Sequence, residues 1–269
     1  MNQITILGSG TSTGVPQIAC ECLVCTSTDS KNKRLRTSIY IETSSGQNVL
    51  VDCTPDMRTQ LLREKIKRVD SVVITHAHAD HIHGIDDLRP MCFVQTQNIP
   101  VYTNQVTSAE LKTRFPYIFL RDKQPGNNLV LGGGVPLLDL TTVPINTPVN
   151  IGSETFEFFE LPHGRFTTMG FMHKKFAYVI DCHEIPADII QRLKARQLDL
   201  LLIDCLKESS HQTHLTKDKS FNYAQEIGAK KTGFIHISHE LEHHRLLAEA
   251  QKISPNYFPV YDSLKLSYA

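Results

Sequence analysis

Apolar residues along this chain come in short runs of three to six, each ending abruptly in a polar or turn residue. Ile4 to Leu7, Thr37 to Ile41, Val49 to Val51, Val72 to Ile74, Ile99 to Tyr102, Phe156 to Leu161, Phe176 to Ile180, Leu198 to Ile203 and Thr232 to Ile235 all have this form. Runs this short, rich in Val, Ile and aromatic residues, read as buried strands. The segments between them carry helix signals. Thr54-Pro55-Asp56 supplies an N-cap, a first-turn proline and an acid at the positive end of the dipole, with Lys65, Lys67 and Arg68 at the far end. Asp86-Asp87-Leu88-Arg89 opens a second helix. Thr107-Ser108-Ala109-Glu110 reads as a capping box for one running to Phe115. Thr216 caps a helix that stops near Gly228, and a final helix runs from about Glu240 to Ile253, ahead of a short strand around Val260 to Leu266. On that final helix His243 and His244 are expected to face solvent. Residues 116–150, with Gly132-Gly133-Gly134 and several prolines, read as irregular chain at the mouth of a pocket.

The polar residues at the strand ends change the picture. Val72-Val73-Ile74-Thr75 runs into His76-Ala77-His78-Ala79-Asp80-His81. In extended chain His76 and His78 point the same way and can share one metal ion. Asp80 and His81, past a turn, can face another. Later strands end at His163, at Asp181 and at His236, so that strand after strand delivers a potential ligand. Cys182 and His183 rival Asp181 for its position. Asp52 ends the Val49–Val51 strand and is placed to orient a ligating imidazole from behind. Cys20-x-Cys22-x-x-Cys25 brings three thiols into six residues, the spacing of a tetrahedral zinc site that lacks its fourth ligand. The loop Gly8 to Pro16 is spaced G-x-G-x-x-x-G and leads into cysteines rather than a helix, which fits a dinucleotide fingerprint poorly.

Composition narrows the class. The 269 residues suffice for one layered α/β domain. Twenty-eight basic residues balance 28 acidic ones, so the charge footprint usual for nucleic-acid binding is missing. Seven cysteines, three of them clustered, argue for metal rather than a disulfide framework. The first residues lack the pattern of a secretory signal, and no apolar run reaches membrane-spanning length. A cytoplasmic protein without membrane or nucleic-acid partners is expected, and a homodimer is compatible with all of this.

H-x-H-x-D-H after a hydrophobic strand resembles the signature of the metallo-β-lactamase-fold hydrolases, whose single domain is a four-layer αββα sandwich. With Gly8 to Pro16, the cysteine triplet, Phe115-Pro116-Tyr117-Ile118-Phe119, Leu161-Pro162-His163-Gly164, His214-Leu215-Thr216, His236-Ile237-Ser238-His239 and Tyr261-Asp262, the chain resembles the PhnP-type phosphodiesterases from residue 4 to 264. Ser263 stands where that family has Gly, and Asp204-Cys205-Leu206-Lys207 where it has Asp-Ala-Leu-Arg. The resemblance implies two divalent ions, Mn²⁺ or Zn²⁺. One would take His76, His78 and His163, the other Asp80, His81 and His236, with Asp181 between them. It also implies a structural Zn²⁺ on Cys20, Cys22, Cys25 and His239. It implies that a metal-bridged hydroxide attacks a small cyclic phosphate ester, similar to 5-phosphoribosyl 1,2-cyclic phosphate. His214 would be the proton donor, with His211 as runner-up, and Asp80 and Asp52 would support the chemistry. A thioesterase or lactonase, an RNA-processing nuclease and a non-catalytic binding relative are the alternatives.

Overall fold

The computed structural model describes residues 1–120 and 134–269. Six strands come first: β1 (Asn2–Gly8), β2 (Ser38–Glu42), β3 (Asn48–Val51), β4 (Ser71–Val73), β5 (Ile99–Thr103) and β6 (Leu138–Thr142). Seven follow: β7 (Pro148–Ile151), β8 (Glu154–His163), β9 (Phe166–His173), β10 (Phe176–Val179), β11 (Leu200–Asp204), β12 (Lys231–Ile235) and β13 (Tyr257–Pro259). β14 (Lys265–Tyr268) then crosses back to the first set. Among the described residues they form two seven-stranded sheets, ordered β14-β1-β2-β3-β4-β5-β6 and β13-β12-β11-β10-β9-β8-β7.

Both faces of each sheet are apolar, which is why the strands read as continuous hydrophobic runs rather than alternating ones. In β10, Phe176 and Tyr178 point between the sheets, while Ala177 and Val179 point to the helices outside. In β1, Ile4 and Ile6 enter the inter-sheet core and Leu7 the outer one. Met57, Leu61, Leu88 and Leu111 cover the first sheet from helical segments. Ile189, Leu193, Phe221 and Leu246 cover the second from helices Ala187–Ala195, Lys217–Ile227 and His243–Ile253. The result is the αββα sandwich. Thr216 caps its helix as expected, accepting from the Lys219 N–H at 3.3 Å, and Gly228 ends it in the left-handed region at φ 71°.

Several expectations need correction. Residues 116–150 are not irregular throughout, because helix Pro116–Phe119, β6 and β7 lie within them. Gly132 and Gly133 fall outside the described residues. The Gln105–Arg114 helix is capped by Asn104, whose side chain accepts from the Thr107 N–H at 2.9 Å, so Thr107 lies inside it. Thr54 accepts from the Asp56 N–H, but the helix runs only Met57–Arg63, leaving Lys65, Lys67 and Arg68 beyond its end. The last helix starts at His243, capped by Glu242, and packs His243 inward while His244 stays exposed. The closing strand is in fact two, β13 and β14, on different sheets. β9 is an additional strand, returning from β8 through the two-residue turn Gly164-Arg165.

At the end of the sandwich away from His163, a buried relay joins the two sheets. Tyr268 of β14 donates its hydroxyl to His173 Nδ1, and His173 Nε2 donates to Glu154 at 2.9 Å, where Lys174 also sits at 2.9 Å. Burial holds the His173 pKa down despite Glu154, so the ring is a neutral connector. Tyr268→Phe strands Nδ1 without a donor and should lower unfolding stability by about 1–3 kcal/mol. Denaturant titration would register this as a shifted midpoint; an unchanged midpoint would remove the relay from the account of stability.

Candidate active site at the strand ends

β8, β10, β11 and β12 point the same way, as do β3, β4 and β5, because β9 runs antiparallel between β8 and β10 and the remaining pairs are parallel. Their carboxyl ends therefore open on one rim, the usual place for a site in such sheets. Asp52 follows β3, the His76 loop follows β4, His163 ends β8, Asp181 follows β10, Asp204 ends β11 and His236 follows β12. Asp52, Asp181 and His236 adopt positive φ, at 65°, 49° and 64°. Backbone of this kind in non-glycine residues costs of order 1–3 kcal/mol and is held only where the surroundings over-determine it. Here it aims each side chain sideways into the gap between the sheets.

The H-x-H part of the loop is extended and the D-H part starts a helix, Ala79–Ile82. This turns His76 and His78 toward one neighbour and Asp80 and His81 toward another. His76 Nε2 lies 2.9 Å from His78 Nδ1, which is 3.2 Å from His163 Nε2. His81 Nε2 lies 3.2 Å from Asp80 Oδ2 and 2.7 Å from Asp181 Oδ2. Asp181 also stands 3.5 Å from His76 Nε2 and 3.1 Å from His236 Nε2, so its carboxylate lies between both groups. The other ring nitrogens are held from behind. His163 Nδ1 donates to the Thr213 carbonyl at 2.8 Å and His81 Nδ1 to Asp52 at 2.7 Å. Asp52 is in turn fixed by the Thr75 N–H at 2.8 Å. These contacts set which nitrogen keeps its lone pair for the centre.

Burial lowers the pKa of His76 and His163, and so favours neutral imidazoles. Burial also opposes charge on His81 and His236, but Asp80, Asp181 and Asp52 raise His81 well above its usual value, and Asp181 and Asp204 raise His236 to about 9. Buried Asp181 is held well below the usual carboxylate range by His236 and His81. His81 Nε2, His236 Nε2 and Asp181 Oδ1 are buried yet make no well-formed hydrogen bond. They converge on one space, where their N and O atoms could serve as donors to a cation.

Asp204 is the residue the sequence reading passed over. It lies 3.1 Å from His214 Nδ1 and 3.3 Å from His236 Nδ1, fully buried. Its signal, a carboxylate ending a strand, was the one that singled out Asp52 and Asp181. Cys182 and His183 do not join the cluster: the Cys182 N–H faces Asp204, and His183 Nδ1 accepts from Gly164. His211 is exposed and accepts from Thr213, while His214 lines a cavity of about 400 Å³ together with His78, Asp80, His163, Asp181 and His236. Apart from this, His239 Nδ1 lies 3.2, 3.5 and 3.6 Å from the sulfurs of Cys20, Cys22 and Cys25. The Cys25 N–H lowers the Cys22 pKa to about 6.

The family model of the β-lactamase superfamily domain matches residues 47–237, from β3 through His236. The chain belongs to the β-lactamase superfamily. Its sandwich is the metallo-β-lactamase fold. A crystal structure of a diphosphatase from the PhnP family is 35% identical, superposes with a TM-score of 0.88, and is covered over 98% of its length and 100% of this chain. The resemblance to that branch holds. An octanoyltransferase of Porphyromonas gingivalis is 35% identical over 97% of this chain, but the chain spans half the length of that protein. Coenzyme PQQ synthesis protein B of Methylobacterium nodulans is 29% identical over 75% of this chain and 72% of its own length. Human tRNase Z, at 18% identity and a TM-score of 0.66, shares the fold. No helix among the described residues is long and apolar enough to cross a membrane.

The raised His236 pKa has a testable consequence in chelator-treated protein. A histidine raised from its unfolded value of about 6.5 contributes stability that is complete below that pH. The contribution is lost as pH rises through about 9. The melting temperature should therefore fall between pH 6.5 and 9, and Asp204→Asn should flatten that slope. An equal slope in both proteins would rule out Asp204 as a source of the shift.

Proposed function

We propose that this chain is a metal-dependent hydrolase of small phosphodiesters. The observation that carries the reading is a doubled donor set on one carboxylate. His76, His78 and His163 form one group, Asp80, His81 and His236 form another, and Asp181 reaches both. Their donor atoms lie within 4.8 Å of one another inside each group, and the N and O chemistry suits Mn²⁺ or Zn²⁺. Three thiols and an imidazole suit a structural Zn²⁺ at the second cluster. The likeness to a PhnP-family diphosphatase supports chemistry at phosphorus over a thioester or lactone.

When bound, the two ions would supply positive charge beside the phosphoryl oxygens and lower the pKa of the attacking water. The chain supplies the rest. Asp52 fixes the His81 ring, and Asp80 stays ionised because His81 holds its pKa down against the effect of burial. His214 donates the proton that the departing oxygen needs. Its Nδ1 is held by Asp204 at 3.1 Å, with Asp181 at 3.5 Å, which leaves Nε2 for the substrate. An imidazolium can pass a proton on near neutral pH, and the carboxylate fixes the ring's orientation. Charge balance and a compact cavity favour a small ester over a polynucleotide, and the family resemblance includes cyclic phosphates among such esters.

His214→Ala should keep its metal content and lose roughly 10²–10⁴-fold in kcat on esters with poor leaving groups. The loss should shrink on bis-p-nitrophenyl phosphate, whose leaving group needs no proton. Equal losses on both would exclude proton donation by His214.

Cys22→Ala tests the second cluster. Metal analysis should show one zinc fewer per chain and thermal unfolding a lower midpoint, because ligand binding of this kind is part of folding. Unchanged zinc content would rule out the Cys20, Cys22, Cys25 and His239 site.

A further inference from the structure

Two side chains at the cavity mouth have no role in the fold. The turn between β8 and β9 is Gly164-Arg165, followed at once by Phe166. Gly164 has φ +64°, and a Cβ there would meet Thr213 Cγ2 at 2.7 Å. The turn is thus pressed onto the loop that carries His214. The His163–Thr213 hydrogen bond at 2.8 Å holds the two together, so the turn is a fixed platform beside the metal-ligand cluster.

Arg165 stands on this platform exposed, and it makes no ion pair or hydrogen bond among the described residues. It is also the one Lys or Arg lining the cavity among them. Phe166 is 62% exposed and belongs to none of the hydrophobic cores. Its ring and that of His78 stand edge to face, with centroids 6.0 Å apart, and it lines the cavity while most of its surface stays open. Ser12 and Gln212 line the same mouth with further polar groups. An unpartnered guanidinium and a largely exposed aromatic ring outside every core, adjacent to one another just past His163 and Gly164, are placed for recognition rather than packing.

We propose that Arg165 and Phe166 are specificity-determining residues for a nucleoside diphosphate ester. The inference rests on the phosphodiesterase reading and narrows its substrate class. One phosphorus of the diphosphate is the hydrolysed centre at the strand ends. The guanidinium takes the oxygens of the second phosphate, for which its planar fork is suited. The nucleobase stacks on Phe166, an interaction that tolerates any base. The cavity of about 400 Å³ lies in the range that holds ligands of this size. Water adds to one phosphorus, the P–O–P bond breaks, the bridging oxygen leaves with the second phosphate and takes a proton, and two phosphomonoesters result.

The test uses the metal-loaded full chain with ADP-ribose, ribosyl 1,2-cyclic phosphate and bis-p-nitrophenyl phosphate. Titration calorimetry with α,β-methylene-ADP, whose P–C–P link cannot hydrolyse, reads binding independently. Wild-type protein should bind methylene-ADP and prefer ADP-ribose by kcat/KM. Arg165→Ala and Phe166→Ala should each weaken methylene-ADP binding by about 10- to 100-fold and raise KM for ADP-ribose far more than they lower kcat. Arg165→Lys and Phe166→Tyr should recover part of the loss. Both positions are exposed, so unchanged melting temperatures would show that the variants fold. Hydrolysis of the cyclic or nitrophenyl ester without methylene-ADP binding would overturn the clamp and leave the phosphodiesterase reading standing. Methylene-ADP binding that both alanine variants weaken, with no ester hydrolysed, would support the clamp and overturn the hydrolase. Binding indifferent to both substitutions would overturn the assignment of these residues.

Discussion

Three carboxylates, those of Asp52, Asp181 and Asp204, are buried at one end of the sandwich with 0–1% exposure. Burying an ionised carboxylate costs several kcal/mol even after relaxation, so none would persist there alone. Each is matched to imidazole: Asp52 to His81, Asp181 to His76, His81 and His236, and Asp204 to His214 and His236. The remaining architecture follows from this matching. The strands must run in a common direction so that their ends meet, and the backbone must turn left-handed at Asp52, Asp181 and His236 to aim them inward. His81 Nε2, His236 Nε2 and Asp181 Oδ1 are left there without a well-formed hydrogen bond, so this rim is where a cation would be accommodated, and its binding would then be coupled to folding.

The second cluster secures the same rim from another direction. His236 and His239 are three residues apart, and β12 delivers the first to the carboxylates and the second to the cysteines. Buried Arg34 reinforces that link by donating to the Ser238 carbonyl at 2.7 Å and the Leu241 carbonyl at 2.8 Å. Ile237 donates to the Ser9 carbonyl at 2.9 Å, so the N-terminal loop is stitched to the same three residues. His236, in strained backbone, is thereby clamped on both sides. Gly8 and Gly10 sit in that loop because a Cβ on either would strike the 34–36 backbone within 3 Å, a packing need that accounts for the spacing better than a nucleotide would.

Most of this rim was legible in the sequence because its signal is local. An apolar run ending in His or Asp needs only strand burial and side-chain chemistry to be read, and His76, His78, Asp80, His81, His163, Asp181 and His236 were found that way. Asp204 ended a strand just as visibly, but nothing local says which imidazole a buried carboxylate will meet. His239 could be matched to the cysteines only through a family resemblance, since more than two hundred residues separate them. β9 went unread, and the β13–β14 pair was read as one strand, for another reason. A tight turn at Gly164, or a crossover between sheets after Pro259, depends on which partner strand offers an edge, and that is a tertiary fact. His243 was misplaced because the helix begins at that residue, where a ring can tuck inward against Tyr261, rather than further along an exposed face.

The fold therefore says little about what such a site would act on. Human tRNase Z shares it at 18% identity, and proteins with unlike names superpose over nearly the whole chain. The strand ends are constrained by charge: moving one carboxylate or imidazole leaves another buried without its partner. The turns beyond them carry no such penalty. Arg165 and Phe166 can change without leaving any buried group unpaired, and selection for a different substrate would act there first. On the proposed reading, substrate choice in this chain is expected two and three residues past His163, where the constraint of the buried carboxylates ends.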